Sequence, residues 1–276
     1  METNIIPDIP SPSLDDAKQS VIATTAIQTP RSTSPASLTR LSTPSDATHS
    51  LALPPTALPP TALPPTAIPI TIHTSPTLAP IQRFAKVNSA AGLTDPFTLI
   101  TNEESYNIPA SSITLSHLFT SNCTRCNQKL SKGAILVEAG DFAAVACWEP
   151  PTCTAKMEAS DDDLSFPDLA ERPIMQGFAR QSADWRRRTM RGRDYWHLTL
   201  MARDPERGAV RGAVRAVLEA GIYWAGEQRM PIWLEAGNQR ARDVYAAFGF
   251  TELGVTWHGG CEGVGVPIWM MVKEPS

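Results

Sequence analysis

The sequence predicts an α/β protein with a mixed sheet of about six or seven strands flanked by helices. Apolar residues recur with strand and helix periods from residue 66 to residue 276, whereas residues 1–65 show neither period. Near the C-terminus a strand, a capped helix and two further strands follow each other across short connections. We therefore divide the chain into a tail, residues 1–65, and one folded domain, residues 66–276, which is long enough for a single core.

The tail is rich in Ser, Thr and Pro and contains no aromatic residue. It leads into three copies of Ala-Leu-Pro-Pro-Thr, which occupy residues 52–66. Paired prolines hold φ near about −65° and remove amide donors, so the repeat favours an extended polyproline II conformation. We expect a disordered tail. The alternative is a proline motif that binds an SH3- or WW-type partner, although no Pro-x-x-Pro is flanked by arginine in the usual way.

Charge and composition indicate which classes of partner and which cellular compartment to expect. A net charge of −4 and a pI near 5.8 give no support for nucleic acid or an anionic membrane as the main partner. No apolar run approaches the roughly 20 residues that span a bilayer, and the N-terminus lacks the features of signal and transit peptides. We expect a cytoplasmic protein. The nucleus is the alternative, because arginines cluster at residues 186–193, although a solvated helix end or a phosphate contact also fits them.

The cysteines do not predict a metal site. Cys123-Thr-Arg-Cys126 has the ligand spacing of a zinc site, but no second close pair of cysteines or histidines follows it. The total of five cysteines is odd, which argues against a disulfide framework. We expect reduced thiols and no bound metal.

In the first half of the domain, the sequence predicts a strand, three helices, a hairpin and a fourth helix. Alternating apolar residues at Ile68–His73 predict the first strand, and the polar segment Thr74–Thr77 is typical of a helix start. The elements expected after it are helices at Leu78–Ala91, from Asp95 and at Ser112–Leu130, a hairpin at Ile135–Pro150 and a helix at Gln176–Met190.

The second half predicts two strand–helix units and a final hairpin. Asn238 is placed to cap a helix by accepting an early backbone N–H, and Gly249 to end it with a left-handed turn. One apolar stripe lies between them at helical spacing: Ala241, Val244, Tyr245 and Phe248. The other expected elements are a strand at Tyr195–Ala202, a helix at Val214–Gln228 and strands at Pro231–Ala236, Phe250–Thr256 and Val266–Val272. In a general α/β domain Tyr245 would be an ordinary core residue.

The segment from Asn238 to Phe250 resembles the second half of the GNAT superfamily of N-acetyltransferases. There an Asn opens a short helix, a Tyr lies seven residues on, and the helix stops at Gly-Phe. Further motifs are similar to a fungal-type subgroup of the family: Trp196-His-Leu-Thr-Leu, Asp204-Pro-Glu, Leu234-Glu-Ala and Tyr245-x-x-Phe-Gly-Phe. The resemblance runs from about residue 66 to the end. It implies the GNAT fold and acetyl-CoA-dependent transfer of an acetyl group to a small-molecule or peptide amine by direct attack.

The resemblance also implies a site for coenzyme A. In the family a strand splays from its neighbour and pairs with the pantetheine arm, and the following loop offers N–H groups at a helix N-terminus to the pyrophosphate. The strand residues carried over are Leu200, Met201, Ala202 and Arg203. The residues carried over for the loop and the coenzyme tail are Arg207, Gly208, Arg211, Gly212, Ala213 and Asn238.

The pyrophosphate loop departs from the family pattern, which is Gln/Arg-x-x-Gly-x-Gly/Ala. Two registers fit, Arg207–Gly212 and Arg211–Ala216, and in both a valine stands where the first glycine belongs. A β-branched residue disfavours the positive φ that glycine tolerates. A third interpretation is a helix that begins at Pro205 with Asp204 as its cap, which would shorten or remove the phosphate site.

Three residues are expected in catalysis. The resemblance implies that Tyr245 is the general acid, since a phenol with a reference pKa near about 10 stays protonated at neutral pH. Glu235 and His197 lie on central strands and are the two candidates for relaying a proton from the amine through water, with a structural role as the alternative for each. A backbone N–H near Met201 would polarise the carbonyl. The alternative function is a non-catalytic interaction module of the same fold, which the valine in the loop and the long tail favour.

Overall fold

The computed structural model describes residues 68–155, 171–260 and 264–275 of the chain. The predicted disordered tail and the acidic run Asp161–Asp163 lie outside these residues. In the described part, seven strands form one mixed sheet in the order β1-β2-β3-β4-β5-β7-β6, with helices on both faces. The predicted fold class is therefore confirmed.

The elements follow the predicted order with boundary shifts of a few residues. The strands are β1 Ile70–His73, β2 Ile135–Ala139, β3 Ala144–Glu149, β4 Trp196–Arg203, β5 Ile232–Ala236, β6 Thr251–His258 and β7 Val266–Lys273. The helices are α1 Leu78–Gly92, α2 Pro96–Tyr106, α3 Leu115–Ser131, α4 Pro173–Met190, α5 Ala213–Glu227 and α6 Gln239–Ala247, with a short 3₁₀ helix at Ala110–Ser112. Among the described segments, no helix combines the length and apolar composition that a bilayer crossing requires.

The sheet opens between β4 and β5, the parallel neighbours at its centre. Their pairing runs from Trp196 opposite Ile232 to Leu198 opposite Leu234 and stops there. At the same level the register of β4 against β3 shifts, so that Thr199 has no opposite residue. Such a bulge bends a strand and increases its twist. Beyond Leu198, β4 therefore continues as a partner of β3 alone, and a cleft separates it from β5.

Three apolar clusters hold the helices to the two faces of the sheet, and the third packs α4 against β5 and β7. Under α5, the Trp148 indole lies against Gly221, where an added Cβ would overlap the ring, and its Nε1 donates a 3.1 Å hydrogen bond to the Val217 carbonyl. On the other face, α1 and α3 cover β2 and β3 through Phe84, Leu136 and their neighbours. This packing fixes the central strands that border the cleft.

The predicted boundaries of α6 are confirmed in detail. The Asn238 side chain accepts a 2.9 Å hydrogen bond from the Ala241 N–H, and Gly249 follows the helix with φ +84°. The cap gives a hydrogen-bond partner to a backbone N–H of the first turn, and the glycine adopts the left-handed conformation that commonly ends a helix. The cap places Asn238 at the end of the cleft.

The interpretation of a helix from Pro205 is wrong. The α5 helix begins at Ala213, because Gly212 adopts φ +93° and this left-handed angle cannot continue a right-handed helix. The Asp204 side chain accepts a hydrogen bond from the Glu206 N–H at 2.9 Å and so caps a local turn instead. Residues 204–212 thus form a loop between β4 and the N-terminus of α5.

Candidate active site

A cavity of about 220 Å³ lies in the opening between β4 and β5, and we call it the cleft cavity. The segment Leu198–Ala202 forms one wall, and Gly237, Asn238 and Tyr245 contribute to the other. Of the residues predicted to contact coenzyme A, four line it: Leu200, Met201, Ala202 and Asn238. The structure thus brings the predicted strand residues and the cap of α6 together.

A larger cavity of about 470 Å³ adjoins it, and we call it the polar cavity. Its wall includes one face of α3, part of α4, and the side chains of His197 and Glu235. Six residues line both cavities, among them Thr199 and Glu235. The two spaces therefore adjoin each other, and Glu235 borders both.

A chain of buried charged groups borders the polar cavity. His197 contacts two carboxylates, through Nε2 to Glu235 Oε2 at 2.9 Å and through Nδ1 to Glu149 Oε2 at 2.9 Å. The Glu149 contact has the distance of an ion pair, although its angle is not that of a hydrogen bond. Lys129 Nζ lies 2.8 Å from Glu149 Oε1, and Arg186 Nη1 lies 3.4 Å from Glu235 Oε1. Two carboxylates therefore alternate with three cationic side chains.

The pKa shifts of His197, Glu149 and Glu235 favour the charged form of each side chain. Burial alone lowers the pKa of His197, but Glu235 and Glu149 outweigh it, and the net shift is upward. Burial alone raises the pKa of both carboxyls, but His197 outweighs it in each, helped by Lys129 at Glu149 and by Arg186 and Ser182 at Glu235, so both pKa values lie well below the usual range. The raised pKa favours the imidazolium form of His197, whose two ring nitrogens both face carboxylates.

Glu235 is held in one orientation by several donors. Trp233 Nε1 donates to its Oε1 at 2.7 Å, and the Ser182 hydroxyl donates to the same oxygen. Arg186 Nη1 in turn donates to the Ser182 hydroxyl at 2.6 Å. The expectation that the arginines after residue 185 form a solvated helix end is wrong for Arg186, which is buried.

Tyr245 lines the cleft cavity and is 5% exposed. Burial, and to a lesser extent the charge of Glu235, raises the pKa of its phenol above the usual range. Its ring packs against Phe250 at 5.8 Å between centroids. The hydroxyl consequently keeps its proton at neutral pH.

The remaining predicted contact residues lie outside both cavities: Arg203, Arg207, Gly208, Arg211, Gly212 and Ala213. They occupy the end of β4, the loop and the first position of α5. Arg207 Nη1 donates to the Gly140 carbonyl at 3.2 Å and to the Asp141 carbonyl, so its guanidinium is engaged with the hairpin turn.

The loop geometry bears on the two registers left open by the sequence. Arg207–Gly212 ends directly before α5, whereas Arg211–Ala216 would run into its first turn. Val210 does not have a positive φ, and its side chain packs against the cluster under α5. A valine at this position therefore causes no backbone strain, and its side chain contributes to apolar packing.

The contacts of four residues around His197 and Glu235 were not predicted from the sequence: Lys129, Glu149, Ser182 and Arg186. They come from three separate elements, and no local spacing joins them to His197 or Glu235. Only charged residues at buried positions of a helix or strand would have indicated them, and the sequence does not state which positions are buried.

Comparison with known sequences finds limited coverage. No family model matches the chain. The uncharacterized protein YDR391C of Saccharomyces cerevisiae is 28% identical over 127 residues, which are 45% of this chain and 50% of that protein. The match spans about half the length of this curated relative.

Comparison with solved structures extends over most of the described chain. Arylalkylamine N-acetyltransferase 2 from Aedes aegypti has a TM-score of 0.50 at 12% identity, covering 75% of this chain and 99% of that chain. The chain has the GNAT N-acetyltransferase fold. The polyamine N-acetyltransferase of Drosophila melanogaster has the same fold, with a TM-score of 0.50 at 8% identity. The match covers 75% of this chain and 100% of that chain. At these identities the likeness establishes the GNAT fold alone.

Proposed function

We propose that this chain is an acetyl-CoA-dependent N-acetyltransferase that acts on a primary amine by direct attack. The observation that carries the proposal is the opening after Leu198, whose cleft cavity joins the polar cavity at Glu235. The GNAT fold and the amine-acetylating activities in the names of both structural neighbours support it.

The residues around the cleft suit acetyl-CoA. From Thr199 onward no described strand pairs with β4 on its β5 side, so its backbone N–H and C=O groups there need a partner. The amide-bearing pantetheine arm would supply one along Leu200–Arg203. The free N–H groups at the start of α5, with Gly208 and Arg211 nearby, would hold the pyrophosphate. When bound, acetyl-CoA supplies an acetyl group activated as a thioester.

Tyr245 is the proposed general acid. The reaction forms an N–C bond and breaks a C–S bond, so one proton must leave the amine and one must reach the sulfur. Tyr245 holds a proton at Oη in the wall of the cleft cavity and is assigned to donate it to the departing sulfur. A backbone N–H near Met201 is assigned to polarise the carbonyl.

Glu235 is the residue proposed to bind the amine acceptor, and His197 is proposed to hold Glu235 in position. Glu235 lines both cavities, so its carboxylate is available to orient the amine and to pass its proton on through water. His197 has both ring nitrogens against carboxylates and offers no free lone pair, which favours a positioning role over that of a base. The low pKa of Glu235 also means that this carboxylate stays ionised and attracts an ammonium group.

The alternative, a non-catalytic interaction module, is favoured by one observation. Arg207 is engaged with Gly140 and Asp141 and is therefore not free to hold a phosphate in this arrangement. A calorimetric titration of the full chain with acetyl-CoA, followed by a thiol-release assay against amino acids, peptides, polyamines and arylalkylamines, separates the two. Saturable binding with turnover supports the enzyme, and saturable binding with no amine acetylated supports the module. No detectable acetyl-CoA binding overturns the proposal.

A further inference from the structure

The polar cavity carries more positive than negative charge. Among the described residues that line it, three side chains are basic and one, Glu235, is a carboxylate. The basic side chains are Arg125, Lys129 and Arg186, and His197 lies beside them. A cavity built to take a strongly cationic ligand would have the opposite balance, because like charges repel most where water is excluded.

The buried ion pairs around the cavity do not involve Arg125. Glu149 lies behind the cavity wall and pairs with Lys129 and His197, while Glu235 pairs with His197 and Arg186. Arg125 is exposed and belongs to none of these pairs.

Arg125 is the cation without an internal role. It lies on the face of α3 that also carries Leu118, Asn122 and Lys129, residues three or four positions apart that all line the cavity. Within the part of the chain that the structure describes, its guanidinium makes no hydrogen bond or ion pair. A guanidinium binds carboxylate and phosphate groups through two parallel N–H donors, which fixes their orientation as well as attracting them.

We infer that the acceptor is an amine that also carries an anionic group, a carboxylate or a phosphate, and that Arg125 binds this group in the polar cavity. The inference rests on the proposed acetyltransferase function and specifies its substrate class. The amine lies toward Glu235, where the two cavities meet, and the anionic group toward α3. Arg125 is then a specificity-determining residue that distinguishes anionic from neutral or polycationic amines.

The first test measures anion binding without catalysis. Inorganic phosphate and acetate are titrated separately into the full chain, followed by nuclear magnetic resonance, with CoA at saturation to occupy the cleft. We expect binding that Arg125→Gln weakens by about tenfold or more, since hydrogen bonds between charged groups are strong, and that Arg125→Lys partly restores. The matched control is Arg229→Gln, which removes an exposed arginine that lines neither cavity. The stronger of the two anions identifies the chemistry of the group.

The second test compares matched amines in the thiol-release assay. Alanine is compared with alaninamide, and glucosamine 6-phosphate with glucosamine, with agmatine as a cationic control. We expect the anionic member of at least one pair to have the higher kcat/KM, and Arg125→Gln to remove that difference while leaving the KM for acetyl-CoA unchanged. Anion binding that is the same in the wild type and in Arg125→Gln overturns the inference and leaves the acetyltransferase proposal standing. Arg125-dependent anion binding without any acetyl-CoA binding overturns the proposed function, and the acceptor role of Arg125 with it.

Discussion

The three central strands present opposite chemistry to the two faces of the sheet. Side chains alternate along a strand, so Trp148, Trp196 and Leu234 pack into the apolar cluster under α5. Their sequence neighbours lie on the other face as a chain of charged groups: Glu149, His197 and Glu235. The comparison shows how one set of strands serves two purposes. At these positions the face under α5, the apolar face, stabilises the domain by burial. The opposite face, the charged face, also carries apolar clusters, but here it holds ionised groups whose burial is unfavourable unless each one is paired.

The largest effect is expected on the charged face, from His197→Gln. The change leaves two buried carboxylates without the cation between them, and breaking a buried pair in this way costs on the order of 3 kcal/mol. Urea denaturation measures the free energy of unfolding. A double-mutant cycle with Glu149→Gln should show coupling between the two sites. The control is His117→Gln on α3, where glutamine can keep the helix-capping contact with Thr114. Equal stability of His197→Gln and the wild type would contradict the assigned ion pairs.

The same residue gives the charged face a pH dependence that the apolar face lacks. The pKa of His197 is raised in the folded state, so its contribution to stability is complete below its ordinary pKa of 6.5 and is lost as the pH rises through the folded value. The lowered pKa values of Glu149 and Glu235 contribute above their ordinary value of 4.5, and this stability is lost in acid. Between pH 6 and pH 10, we expect the free energy of unfolding of the wild type to decrease with rising pH more steeply than that of His197→Gln. Parallel curves would refute the raised pKa.

Tyr245→Phe should separate catalysis from packing. The phenylalanine ring keeps the contact with Phe250, so the free energy of unfolding should change little, while turnover should fall by about 10²-fold through loss of the acidic proton. The measurement is thiol release with an accepted amine. A variant with wild-type turnover would exclude Tyr245 as the general acid.

On the apolar face, Gly221→Ala should destabilise the domain by about 1–3 kcal/mol, because the added methyl group overlaps the Trp148 indole. Gly226→Ala is a matched control in the same helix, since a Cβ there meets no atom within 4 Å. It should leave stability unchanged or raise it by up to about 1 kcal/mol. Thermal unfolding distinguishes the two variants, and equal effects would mean that helix propensity, and not the contact with Trp148, governs this position.

Much of the fold could be predicted from local patterns. The Asn238 cap, the apolar stripe with Tyr245 and the stop at Gly249 specify α6 within a few residues, because capping and periodicity involve groups close in the chain. The start of α5 could not be predicted in the same way. Asp204-Pro205 is a good helix start in isolation, and only the left-handed angle at Gly212 places the helix eight residues later.

The sequence by itself determined the order of elements, the resemblance of the α6 segment to the N-acetyltransferases, and the catalytic candidates Tyr245, Glu235 and His197. The tertiary structure decided the rest of the site. Its register aligned His197 between Glu149 and Glu235, and its bulge at Thr199 opened the sheet into a cleft. The physical reason is that charge pairing and cavity formation depend on contacts between residues far apart in the chain, and local periodicity contains no information about those contacts.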